Sequence, residues 1–294
     1  MSETPPTSPL ERQDWSDAMG RRWLGHLKEL EGMVAPIGAA ALRKARFVPG
    51  ERVVDVGCGA GPTTLDIARA VSPGGYALGL DLSPLLIDAA TRRLTKSARP
   101  PGSARVKFLL GDAATAALDE PPFDVLFSRF GVMFFPDPHL AFAHMRGWLK
   151  PTGRAAFCCW APPEENPWVL EIEAVVRRYV EPPGHTPHAP GPFGLADVER
   201  LKDILAKAGF VEVAIDAWRG QQAIAGPGAT PAQAAAFAMT GMHVCQLLGD
   251  APDELKSRVR ADLEALFASK HGPGGVLLPS AAWLVTAKVG TPAA

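Results

Sequence analysis

Residues 51–61 read E-R-V-V-D-V-G-C-G-A-G. A short β-branched run ends in an acid, Asp55, and Gly57, Gly59 and Gly61 follow at every second position. Such a run reads as a buried strand, and Pro62 suits the first turn of a helix. A strand, a glycine loop and a helix in this order aim backbone N–H groups and a helix N-terminus at one point. Glycine removes the side chains that would bar close approach there. A unit of this kind belongs to sheets whose strands alternate with helices, and that constraint governs the rest of the reading.

The alternation continues. Strands are expected at 76–82, 105–110, 123–128, 154–160, 211–218 and 282–289, and helices at 62–71, 84–97, 138–150 and 197–208, with Ser83 as the cap of the second. Seven strands with interleaved helices predict an α/β fold, a doubly wound, Rossmann-like and mostly parallel sheet. Its ligands bind beyond the carboxyl ends of the strands. Residues 13–46 carry helical spacing, with Trp15, Met19, Trp23, Leu27 and Leu30 near one face and a break expected at Pro36. Residues 161–196, holding a helix over 167–180, and residues 230–270 break the rhythm. They are read as a helical lid over the crevice, within a single domain spanning 13–294 after a disordered lead over 1–12.

The formal net charge is −1, so there is no basic field for DNA or RNA. Cys58, Cys158, Cys159 and Cys245 form no C-x-x-C pair, which argues against zinc and against a disulfide framework. Reduced thiols point to the cytoplasm. No stretch is apolar enough for a signal peptide or a membrane span. A homodimer is left open.

The glycine loop fails the dinucleotide pattern G-x-G-x-x-G: counted from Gly57 the third glycine falls on Pro62, and from Gly59 on Thr64. A carboxylate at Asp55 would also repel a pyrophosphate, whereas it suits a ligand with a positive amino group. Asp81, in G-L-D-L-S, lies twenty residues past Gly61, and an acid there can accept both hydroxyls of a ribose. Asp112 ends the third strand in L-L-G-D-A-A and with Ala113 can accept from an adenine amino group; capping a turn is its alternative. Amine, ribose and adenine without phosphate describe S-adenosylmethionine.

The chain resembles the class I S-adenosylmethionine-dependent methyltransferases, of the small-molecule kind that includes the ubiquinone and menaquinone biosynthesis enzymes. V-V-D-V-G-C-G-A-G, G-L-D-L-S, G-D-A-A, F-D-V-L-F-S-R-F-G-V-M-F-F-P-D-P and W-L-K-P-T-G-R carry the likeness, strongly over about 45–160. The resemblance implies an antiparallel last strand. It implies that Asp55 and Gly57 hold the methionine end of the cofactor, Asp81 the ribose, and Asp112 and Ala113 the adenine, with Gly59, Gly61 and Leu82 among the cofactor-binding residues. Ser128 and Arg129 would border the methionine or the methyl in transfer.

The sulfonium methyl is already activated, so the protein must mainly align an in-line displacement and exclude water. S-R-F-G after the fourth strand disfavours DNA bases and glutamine side chains, whose methylases place N/D-P-P-Y/F there. No metal is expected, and Asp137 between two prolines reads as a turn residue. Trp160, Trp168, Phe193, Phe237, Met239 and Met242 are candidates for an apolar acceptor cavity; a plain core stripe is the alternative. His188 and His243 are the candidate bases, with loop or packing roles as alternatives, and His139 and His144 are placed on the surface. The expected activity is methyl transfer to a small, partly apolar acceptor at O, N or C, releasing S-adenosylhomocysteine. A nicotinamide-dependent oxidoreductase and a non-catalytic cofactor-binding protein are the competitors.

Overall fold

The computed structural model describes residues 18–182 and 186–290. Trp15, His185 and the expected lead over 1–12 lie outside the described residues. Seven strands form the central sheet in the order β3-β2-β1-β4-β5-β8-β6. They are β1 (Arg52–Val56), β2 (Tyr76–Asp81), β3 (Arg105–Leu110), β4 (Phe123–Arg129), β5 (Leu149–Trp160), β6 (Phe210–Ala223) and β8 (Gly275–Val289). The two-residue β7 (His271–Gly272) only folds back onto the start of β8. β1 to β5 pair in parallel. β8 is antiparallel to both β5 and β6, as expected for the last strand.

The order reverses between β1 and β4, because the chain leaves β1 toward β3 and then returns to β1's other side. Such a reversal opens a crevice at the carboxyl ends. β1 and β2 are buried along nearly their whole length, as strands covered on both faces must be. The helices are α1 (Ala18–Gly25), α2 (Leu27–Ala45), α3 (Pro62–Ala70), α4 (Pro84–Lys96), α5 (Pro138–Arg146), α6 (Pro167–Val176), α7 (Val198–Lys207), α8 (Pro231–Gly241), α9 (Val244–Leu248) and α10 (Asp253–Ser269). α6, α8, α9 and α10 pack on one another, and α6 and α8 also pack on β8. Among the described residues no helix is long and apolar enough to cross a membrane.

Several boundaries differ from those expected. The N-terminal helices part at His26, and α2 runs unbroken through Pro36. Pro36 lies on the exposed side, while Met33, Val34, Ile37, Ala41 and Ala45 are buried. That packing outweighs the about 3 kcal/mol that a proline costs inside a helix. α5 stops at Arg146, and β5 begins at Leu149, which pairs with Phe123 before the register shifts. β6 and β8 each extend well beyond the spans read from sequence. α6 ends at Val176. Ser83 stands at the N-cap of α4 without a side-chain capping bond. Asp137 does cap α5, accepting from the Leu140 N–H. His144 is not a free surface residue: its Nε2 lies 2.9 Å from the Ala116 carbonyl and its ring meets Trp148 edge-on.

One guanidinium ties the start of the sheet to the N-terminal helices. Arg154 donates to the Ala45 carbonyl at 3.0 Å, to the Arg46 carbonyl at 2.9 Å, and with two nitrogens to Glu51 at 2.6 and 3.0 Å. A lysine cannot make this fork. Arg154→Lys is therefore expected to destabilise the chain by about 1–3 kcal/mol, read as a lower urea midpoint with an unchanged m-value.

Candidate active site

The three glycines have three different reasons. Gly57 has φ +67°, and a Cβ there would come within 2.7 Å of Gly131 Cα in the loop after β4. Gly61 has φ +79°, and a Cβ would strike the Phe108 ring at 2.6 Å. At these two positions the protein itself occupies the space that the sequence reading reserved for a ligand. Only Gly59 opens toward the crevice: a Cβ there would meet nothing nearer than Trp23 Nε1, at 3.9 Å. Trp23 on α1 thus covers the loop. Cys58 is buried and fills the space beside Gly79.

Asp55 is 1% exposed. Its Oδ2 accepts from Thr63 at 2.8 Å and Thr64 at 2.6 Å, on the first turn of α3, while its buried Oδ1 has no hydrogen-bond partner. Burial pushes its pKa up to about 6, against the opposing pull of the two threonines and of the Arg129 charge. Asp81 is also buried; its Oδ2 accepts from the Gly59 N–H at 2.8 Å and its Oδ1 from the Ser83 N–H at 2.9 Å. Burial raises its pKa too. Asp112 takes its turn role, Oδ1 accepting from the Ala114 N–H at 2.9 Å, and Ala113 beside it is buried. Leu82 is half-buried next to Asp81.

Ser128 is fully buried and is spent inside the protein: its hydroxyl donates to the Val56 carbonyl at 2.7 Å and accepts from the Gly131 N–H at 3.1 Å. Arg129 is half-buried and lies along α2, where a Cβ at Gly38 would meet its Cδ at 2.8 Å. Gly38 in mid-helix makes room for that side chain. Phe130 follows with φ +61°, a left-handed conformation that non-glycine residues rarely adopt.

The acceptor candidates separate into groups. Trp160 stacks on Phe130 with centroids 4.3 Å apart, and Trp168 lies 5.2 Å from Trp160. Asn166 fixes this array: its Oδ1 accepts from Trp168 Nε1 and the Ala281 N–H, and its Nδ2 donates to the Ala161 and Pro162 carbonyls. Phe237 meets His26 edge-on at 5.5 Å, with Met242 buried and Met239 half-buried on the same segment. Phe193 and the exposed His188 instead line a cavity of about 350 Å³ with Pro162 and Trp283. Trp283 pairs with Cys159 and therefore points to the opposite side of the sheet from Trp160. His243 lies 3.5 Å from Glu173 on α6 and holds that carboxyl below its usual range. Among the described residues no group of three His, Cys, Asp or Glu side chains could hold a metal.

Trp23, Phe130 and Asn166 were not picked out from sequence as site residues. The first two carry a signal, an aromatic on the N-terminal helical stripe and one directly after the fourth strand. Asn166 carries none: it bonds the carbonyls of Ala161 and Pro162, the Trp168 indole and the distant Ala281 N–H on β8.

An S-adenosyl group fits these residues. Bound here, it would bring an ammonium toward the buried and half-satisfied Asp55, hydroxyls to the remaining lone pairs of Asp81, and would pass close over Gly59. In the free protein, protonation relieves the burial of Asp55 charge. The penalty is absent below the ordinary carboxylate pKa of about 4, grows as pH rises, and is complete above the folded value of about 6. The stability of Asp55→Asn relative to wild type should therefore improve as pH rises through this window, measured as urea midpoints of both proteins between those limits.

Comparison with known proteins agrees. A family model described as a methyltransferase domain matches residues 53–153. Aklanonic acid methyltransferase DauC of Streptomyces sp. (strain C5) is 29% identical over 164 residues, covering 49% of this chain and 73% of that protein. Nocamycin O-methyltransferase of Saccharothrix syringae is 31% identical over 176 residues, covering 56% and 61%. The fold matches Haemonchus contortus phosphoethanolamine N-methyltransferase 2, solved with phosphomonomethylethanolamine and S-adenosylhomocysteine, at TM-score 0.58 and 16% identity, over 98% of this chain and 62% of that one. The strand order, the glycine loop with its buried acids, the methyltransferase domain matched over residues 53–153 and these relatives together support a class I S-adenosylmethionine-dependent methyltransferase.

Proposed function

We propose that the chain methylates an oxygen of a small, largely apolar acceptor held against the array of Phe130, Trp160 and Trp168. The observation that carries this reading is the joint placement of Asp55, Gly59 and Asp81 at the ends of β1 and β2, with the aromatic array beside them at the ends of β4 and β5. Asp55 and Arg129 would hold the amino-acid end of the cofactor, Asp81 and Leu82 the ribose, and Asp112 and Ala113 the adenine. S-adenosylmethionine supplies an activated methyl group. The chain's own residues align the acceptor with it and keep water out. The aromatic faces suit a flat apolar body. An oxygen nucleophile is supported by one relative named as an O-methyltransferase.

A dinucleotide does not suit this loop. Thr64, where a third glycine would stand, hydrogen-bonds to the buried Asp55, and an ionised Asp55 opposes a pyrophosphate.

Calorimetric titration with S-adenosylhomocysteine tests the reading. Wild type should bind in the micromolar range. Asp81→Ala should bind at least about tenfold more weakly, the loss expected for hydrogen bonds to a charged group. A parallel NADH titration should show no comparable binding, and preferential NADH binding would overturn the reading.

A further inference from the structure

β6 and β8 continue past the end of β5. Trp160, the last residue of β5, pairs with Ala282, yet β6 and β8 stay paired out to Ala223 and Leu277. This extension stands beyond the carboxyl edge of the sheet, where ligands bind in such folds. Its register fixes which residues share a face, since direct cross-strand partners and alternate residues point the same way. Trp218, Gly220 and Gln222 pair with Ala282, Ser280 and Leu278. All therefore face the side of Trp160. Asn166 contacts Ser280 on this face and orients Trp168 toward Trp160.

Gln222 is the anomaly on this face. It is 1% exposed, and neither its Nε2 nor its Oε1 has a hydrogen-bond partner. Its cross-strand neighbour is Leu278, which offers no polar side chain. Burying an amide without partners is costly, and native proteins rarely leave one so. Neither the cofactor residues nor the Asn166 network uses it. Both amide atoms are sealed from solvent in the acceptor-free protein.

We propose that Gln222 is a specificity residue that receives the methyl acceptor through adjacent carbonyl and hydroxyl oxygens of a neutral molecule. An amide presents a donor and an acceptor side by side, and its complement presents an acceptor and a donor side by side. An amide cannot neutralise charge, so a carboxylate or an ammonium at this position is buried without a counter-charge and is rejected. The proposal rests on the methyltransferase reading of the same site and narrows its acceptor to neutral oxygen-bearing compounds.

The test uses the full chain, Gln222→Leu, and Gln222→Met as a second variant of closer shape. In the acceptor-free protein both variants should melt at a higher temperature than wild type, because an unpartnered buried amide has been removed. A lower melting temperature in both would mean that the amide is already satisfied within the fold, and would overturn the proposal. Calorimetry at saturating S-adenosylhomocysteine then compares three aromatic probes of similar size: the hydroxyketone 2-hydroxy-1-phenylethanone, mandelate and 2-amino-1-phenylethanol. Wild type should prefer the neutral ketone. The variants should lose at least about tenfold in affinity for it, as a buried amide left unpaired predicts, and should keep their affinity for S-adenosylhomocysteine. Equal ketone affinity in wild type and variants, a preference for either charged probe, or no ketone binding to the loaded wild type would each overturn the proposal. Failure of wild type to bind S-adenosylhomocysteine would instead overturn the methyltransferase reading beneath it.

Discussion

The loops after β1 and β4 meet at Gly57 and Gly131, and the rest of the site depends on that contact. Neither position has room for a Cβ against the other. The Ser128 hydroxyl locks them together by donating to the Val56 carbonyl and accepting from the Gly131 N–H. This junction lies where the strand order reverses, so it sets the floor of the crevice. It turns Gly59 toward the ligand on one side and starts the run Arg129-Phe130 on the other. Spreading the two loops apart would separate the carboxylates at the ends of β1 and β2 from the aromatic array beside β4 and β5.

The electrostatics of the crevice follow from burial. Asp55 and Asp81 are both held in surroundings that disfavour their charged forms, and Asp81 adds to the difficulty of ionising Asp55. The opposing cation is Arg129, set at a distance by its packing against Gly38. A ligand carrying a positive group relieves the two acids, and one carrying phosphate does not. Discrimination against phosphate-bearing cofactors therefore arises in the sheet itself, before any side chain of the helical layer takes part. The acceptor side is the opposite case, with stacked aromatics, buried apolar helices and one amide left without a partner.

Much of this was legible in the sequence because its signals are local. β1 to β3 were read within a residue because they are short apolar runs bounded by glycine, proline or acids. Asp55, Asp81 and Asp112 stood out because each closes such a run. What was missed depends on distant segments. The reason for Gly57 is Gly131 and the reason for Gly61 is Phe108, so a loop that reads as cleared for a ligand is largely filled by protein. Pro36 reads as a break, yet tertiary packing carries α2 through it. Phe193 and Trp160 read as one aromatic set until the pairing of β5 with β8 puts Trp160 and the cavity-lining Trp283 on opposite sides of the sheet. Gln222 has no motif at all. It stands out only once β6 and β8 are seen to outrun β5.

The central claim is that the buried acids at the strand ends hold an S-adenosyl group. A crystal structure of the chain grown with S-adenosylhomocysteine tests it most directly. The account predicts ribose hydroxyls within hydrogen-bonding distance of the Asp81 carboxylate and the ligand's chain passing over Gly59. A ligand seated elsewhere, with the Asp81 carboxylate still bonded only to backbone N–H groups such as those of Gly59 and Ser83, would contradict it.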